Sequence, residues 1–137
     1  LVPEYEHRIC GGSPERVLDL LTTLNHPQLR AVYDPANYVF CGYDPWEGWL
    51  KTRDWTVHFH IKDWVRGETH ARPAGQGQGR IPEVLADAVQ RGYCGFATLE
   101  PHLLGGGPTG GVTGPELFPQ AVAALRSILN HLHASYD

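Results

Sequence analysis

Strand-like and helix-like segments alternate four times along this chain, and that alternation restricts the fold more than any other feature. The strand-like segments are 1–5, 29–33, 55–61 and 94–99. Helical spacing of apolar residues follows each of them. The first helix spans 14–24, with Ser13 as its N-cap, Pro14 at its first position and Val17, Leu20, Leu21 and Leu24 on one face. A short second helix starts at Asp44-Pro45, a third covers 82–90 with Gly92 closing it, and the last begins at Pro115. Strands that alternate with helices imply an α/β fold with a parallel sheet. The four (β/α) units amount to half of an eightfold barrel, which typically needs ~250 residues. An open doubly wound sheet is the alternative. No GxGxxG follows a strand, so its dinucleotide-binding version lacks support. Gly75-Gln76-Gly77-Gln78-Gly79 has no Lys-Ser/Thr after it and reads as a flexible loop within 66–80.

The third strand carries the chemistry. In Val57-His58-Phe59-His60-Ile61-Lys62-Asp63 the polar and apolar residues alternate, so His58, His60 and Lys62 share one face and Val57, Phe59 and Ile61 the other. Asp34 and Glu100 directly follow the second and fourth strands. Acids and imidazoles at the carboxyl ends of successive parallel strands point to a metal site on the top face of a β/α barrel.

Charge and cysteines narrow the setting. The 137 residues carry 11 Lys and Arg against 15 Asp and Glu, a net charge of −4 with no basic block. That disfavours a nucleic-acid partner. No apolar run is long enough to cross a bilayer. Cys10, Cys41 and Cys94 are widely spaced and form no CxxC, which reads as reduced thiols in a cytoplasmic protein rather than a structural zinc site. The chain has no Met and opens inside a strand-like segment, so the expected unit is 1–137 as the carboxyl-terminal half of one barrel, truncated at its N-terminus.

Several motifs, taken in order, resemble the xylose isomerase-like TIM barrels of the sugar phosphate isomerase/epimerase superfamily. They are Pro3-Glu4-Tyr5-Glu6-His7, Asp34-Pro35-Ala36-Asn37, His58-Phe59-His60-Ile61-Lys62-Asp63, Gly75-Gln76-Gly77, Gly92-Tyr93-Cys94-Gly95-Phe96 and Leu99-Glu100-Pro101-His102. The resemblance implies strands five to eight of the barrel. It implies a metal held by Glu4, Asp34, His60 and Glu100, with Glu6 the rival of Glu4. His7, Asn37, His58 and Lys62 would bind substrate. Asn37 stands where epimerases of the family often carry His; it can hydrogen-bond a hydroxyl but cannot titrate. His102 is expected near the pocket mouth, and His70, His131 and His133 at the surface. Trp64 is expected either to pack or to stack on a sugar ring.

Three carboxylates and an imidazole suit Mn²⁺ or Mg²⁺, with Co²⁺ or Zn²⁺ as alternatives. The implied activity is metal-dependent isomerisation or epimerisation of a sugar, sugar phosphate or related polyol. Glu4 and Glu100 would be the acid and base beside a chelated carbonyl. The competing expectations are a zinc endonuclease acting at abasic sites and a non-catalytic binding domain derived from a barrel. The partner expected is a small carbohydrate, with neither nucleic acid nor membrane. Two exposed sheet edges in a half barrel would also allow two copies to pair.

Overall fold

The structure, a computed structural model, describes residues 1–5, 13–106 and 110–136. Helix α1 (Pro14–Leu24) starts where its cap dictates: Ser13 is extended, its hydroxyl accepts the Arg16 amide, and Pro14 begins the first turn. Asn25 ends it in the left-handed conformation, its amide donating to the Leu21 carbonyl. Then follow β1 (Ala31–Tyr33), α2 (Pro35–Phe40), α3 (Pro45–Thr52), β2 (Thr56–Ile61), α4 (Ile81–Gln90), β3 (Phe96–Leu99) and α5 (Phe118–His131).

The sheet order is β1-β2-β3, all parallel. Residues 1–5 extend this row on the β1 side. The Arg30 and Val32 amides donate to the Leu1 and Pro3 carbonyls, and Glu4 forms a parallel bridge with Val32. This segment makes one bridge rather than the full strand expected; Pro3 has no N–H to give to a ladder. Four parallel segments thus lie side by side in chain order, with no reversal of the kind that marks a doubly wound sheet. The fold is α/β, an open sheet with the arrangement of a partial TIM barrel.

Three element boundaries differ from expectation for local reasons. Asp34-Pro35 does not merely close a strand. Its carboxylate accepts the Ala36 and Asn37 amides and starts α2, the same device that Asp44-Pro45 uses for α3. The last helix begins at Phe118, because 115–117 form a turn. Helix α4 begins one residue earlier, at Ile81, after Arg80 in the left-handed region.

The core lies between the sheet and the helices. Tyr33, Phe59 and Ile61 point into it and meet Leu21 of α1, Tyr38 of α2 and Trp49 of α3. Tyr33 stacks on Tyr38 at 5.0 Å between centroids and meets Phe59 edge-on at 5.9 Å. The apolar stripe of α1 is wider than its contact: Val17 and Leu21 are buried, while Leu20 and Leu24 are exposed. Val57 is exposed too, unlike Phe59 and Ile61. Trp64 is packed inside a smaller cluster with Ala36, Val39 and Ala71 and meets Phe40 edge-on, so its ring is not open to a sugar. Among the described residues no helix is long and apolar enough to cross a membrane.

Candidate metal centre

The site grows from the ends of the parallel segments. Tyr33, Ile61 and Leu99 are the last residues of β1, β2 and β3. The next residue in each case is Asp34, Lys62 or Glu100. A register shift between Ala31 and Val32 decides how they meet. Ala31 sits opposite Thr56, but Val32 sits opposite His58 and Tyr33 opposite Phe59. Val57 is the extra residue, so Asp34 comes level with His60. On the other side His60 pairs with Thr98 and Ile61 with Leu99, and the Glu100 amide donates to the Ile61 carbonyl at 3.1 Å. That register places Glu100 beside Lys62.

Glu4, Asp34, His60 and Glu100 each offer one ligand atom, all within 4.8 Å of one another. His60 Nδ1 lies 3.1 Å from Glu4 Oε2 and 3.7 Å from Glu100 Oε2. Asp34 divides its carboxylate: Oδ1 accepts the Ala36 amide at 2.9 Å, while Oδ2 turns toward the cluster. Lys62 Nζ sits 2.5 Å from Asp34 Oδ2 and also contacts Glu100 Oε2. Asp34 Oδ2 and His60 Nδ1 are both buried, and each has a close ionic partner, Lys62 Nζ and Glu4 Oε2 respectively. A divalent cation would draw on the same atoms. Ligand atoms about 2.1 Å from a shared ion stand at most ~4.2 Å apart, so the cluster, whose atoms lie within 4.8 Å of one another, would tighten to hold one. Three oxygens and one imidazole nitrogen form a donor set for Mg²⁺, Mn²⁺ or Zn²⁺.

The electrostatics agree with that donor set. Burial pushes the Asp34 carboxyl up to about 7; the Lys62 ammonium opposes this, and the Glu4 and Glu100 charges add to it. Burial also works to raise Glu4, but its hydrogen bond and charge interaction with His60, with Lys62 behind, hold it below the ordinary range. Glu4 in turn raises His60 against its own burial, with Glu100 and Asp34 adding to the effect. Burial would lower Lys62, yet Asp34 and Glu100 outweigh it and keep the ammonium charged. Three carboxylates and an imidazole thus gather around one ammonium, and a divalent ion would stabilise the charged form of each carboxylate.

The remaining expected residues separate into distinct roles. Asn37 is buried, and its Nδ2 donates to Glu4 Oε1 and to the Tyr5 carbonyl, both at 3.0 Å. It therefore aims the Glu4 carboxylate, leaving Oε2 for His60. Lys62 meets two of the clustered carboxylates with a side chain only 1% exposed. His58 lies beside His60 at 5.2 Å between ring centroids, and its Nε2 hydrogen-bonds Thr98 Oγ1 at 2.7 Å. Burial and the His60 charge lower its pKa, which keeps the ring neutral. His102 reaches the rim of the cluster, Nε2 at 3.7 Å from Glu100 Oε1. His70 is half-buried, and His131 and His133 are exposed. His7 and Glu6 lie outside the described residues, as does Cys10, while Cys41 and Cys94 are not joined in a disulfide.

Comparison with known proteins places this geometry in a lineage. No curated protein sequence matches the chain. A xylose isomerase domain protein from Planctomyces limnophilus superposes with a TM-score of 0.71 at 18% identity, over 95% of this chain and 45% of that one. A D-tagatose 3-epimerase-like protein gives 0.71 at 18%, over 95% and 46%. A xylose isomerase-like TIM barrel protein from Mycobacterium smegmatis, solved in complex with magnesium, gives 0.67 at 19%, over 94% and 42%. The chain thus spans somewhat less than half the length of each of these structures. The sequence profile of one family covers residues 3–128, nearly the whole chain, including Glu4, Asp34, His60 and Glu100. By that match the chain belongs to the xylose isomerase-like TIM barrels.

Proposed function

We propose that this chain carries the metal-binding half, strands five to eight, of a divalent-metal-dependent isomerase or epimerase acting on a small carbohydrate. The observation that carries the reading is the convergence of Glu4, Asp34, His60 and Glu100 from four neighbouring parallel segments. The names of two structural neighbours, an epimerase-like protein and a magnesium complex, are consistent with it. Mn²⁺ or Mg²⁺ suits the oxygen-rich set best. When bound, the ion supplies Lewis-acid stabilisation of the negative charge that develops as a proton leaves the carbon beside a carbonyl.

The protein's own groups then manage the proton. Glu4 is held ionised by His60 and Lys62 and is suited to take it. Glu100 comes from the opposite end of the row of strands, with β1 and β2 between them. Two carboxylates approaching from two sides favour inversion of a centre over return of the proton to the same face. Asn37 and Lys62 hold these carboxylates in place rather than meeting substrate directly. The neutral His58 ring, tied to Thr98, is the group we assign to a substrate hydroxyl.

The test is solvent exchange. Protein loaded with Mn²⁺ is incubated in D₂O with ketopentoses, ketohexoses and their phosphates, and C–H signals next to the carbonyl are followed by NMR. Loss of signal with at least one ketose, abolished by Glu4→Gln, supports the reading. No exchange with any member of the panel contradicts it.

A further inference from the structure

Asp63 stands one residue past Lys62, fully buried, and the site described so far makes no use of it. Its carboxylate is the hub of the segment that follows β2. Oδ1 accepts the amides of Trp64 at 2.8 Å and Gly79 at 2.7 Å. Oδ2 accepts those of Gly75 and Gly77, both at 2.9 Å. Four amides aimed at one carboxylate make an anion cradle of backbone, here filled by the protein's own side chain. The glycines are what let the chain come so close. A Cβ on Gly77 would lie 2.4 Å from Asp63 Oδ1 and 2.6 Å from the Trp64 carbonyl, and one on Gly79 would lie 2.7 Å from Oδ1. The GQGQG run is therefore wrapped around an acid, not left as the flexible loop its composition suggests.

The wrapped segment also touches the ends of the neighbouring strands. The backbone of Asp63 pairs with that of Arg72 at 3.0 and 2.8 Å, and Gln78 donates to the Trp64 carbonyl at 2.8 Å. Ala71 donates at 3.2 Å to the carbonyl of His102, two residues after Glu100. On the other side Gly79 lies against Pro35, directly after Asp34; a Cβ on Gly79 would meet Pro35 Cβ at 3.2 Å. One cradle thus ties the end of β2 to the residues following both Asp34 and Glu100.

We propose that Asp63 is a positioning residue for the metal cluster: by gathering the amides of Gly75, Gly77 and Gly79 it fixes segment 64–80 against Pro35 and His102, and so sets the spacing of Asp34, His60 and Glu100. This rests on the metal-binding reading given above. A carboxylate is required, because the amide nitrogen of an asparagine would turn donors toward donors.

The test is Mn²⁺ affinity by titration calorimetry, together with amide exchange at Gly75, Gly77 and Gly79. Asp63→Asn and Gly77→Ala should each weaken Mn²⁺ binding by ~10–100-fold, the range for groups that orient ligands from behind. Two controls should leave it unchanged: Leu21→Ala, a core truncation in α1, and Gly110→Ala, where a Cβ meets open space. On the unaltered chain, saturation with Mn²⁺ should slow exchange at the three glycine amides, because coupling between two sites is reciprocal. That arm needs no variant and decides the matter if both substitutions fail to fold. Affinity within twofold of the original in a folded Asp63→Asn, or glycine amides no slower under Mn²⁺, overturns the inference. Failure of the unaltered chain to bind Mn²⁺ overturns the metal reading itself and this inference with it.

Discussion

The two flanks of the sheet are built differently. Every residue of β1 is buried, and Tyr33 at its end is 1% exposed. On β3 only Leu99 is partly covered, and Phe96 is 76% exposed. Tyr38 of α2 and Trp49 of α3 pack against Tyr33 of β1, with α1 lying on α3, whereas α5 buries only Ala121 and Leu125. An apolar groove of about 930 Å³ runs between β3, α4 and α5. The row of candidate ligands crosses this gradient. Asp34 rises from the packed flank and Glu100 from the open edge, where its side chain is 34% exposed and held by Lys62. The candidate ligands thus span both the packed and the open flank of one sheet. Glu100, the candidate ligand at the open edge, is placed by register and by Lys62, with His60 and His102 each 3.7 Å away.

The sharpest way to break this contrast is to cut into the packed side. Phe59→Ala should lower the unfolding free energy by about 3–5 kcal/mol in a denaturant titration, the usual cost of emptying a fully buried aromatic site. Lys62→Met comes next. Without its ammonium, buried Asp34 loses its nearest cation, and the metal-free protein should lose about 3 kcal/mol. Mn²⁺ should recover part of that, so the rise in melting temperature on adding Mn²⁺ should be larger in Lys62→Met than in the unaltered chain. Glu100→Gln should separate binding from stability. Mn²⁺ affinity should fall roughly tenfold or more, with under about 1 kcal/mol lost in unfolding, because the residue sits on the exposed flank. Smallest is Phe96→Ala, expected to cost less than about 0.5 kcal/mol since the ring is mostly in solvent already. A large loss there would mean that the open flank is covered in solution.

The sequence carried much of this arrangement because period and caps are local. Alternation over 57–62 separated the face bearing His58, His60 and Lys62 from the core, and the Asp34 and Glu100 positions followed from strand ends. What it did not carry depends on neighbours in space. The one-residue slip at Val57 brings Asp34 level with His60, and nothing in 57–62 alone announces it. Helix α2 was legible in principle, since Asp34-Pro35 repeats the Asp44-Pro45 signal; six residues gave too short a stripe to show it. The Gly75–Gly79 run resembled a loose loop because composition cannot reveal that an acid twelve residues earlier gathers its amides. Asn37 and Lys62 were expected to meet substrate; their contacts with Glu4, Asp34 and Glu100 are a further feature that only packing reveals.

The central claim, one cation shared by four distant side chains, is tested most directly by diffraction from crystals soaked in Mn²⁺, with data collected near the manganese absorption edge. The account predicts one strong anomalous peak with Glu4, Asp34 and Glu100 oxygens and a His60 nitrogen at about 2.0–2.3 Å. A peak at surface carboxylates alone, or none among these four residues, would contradict it.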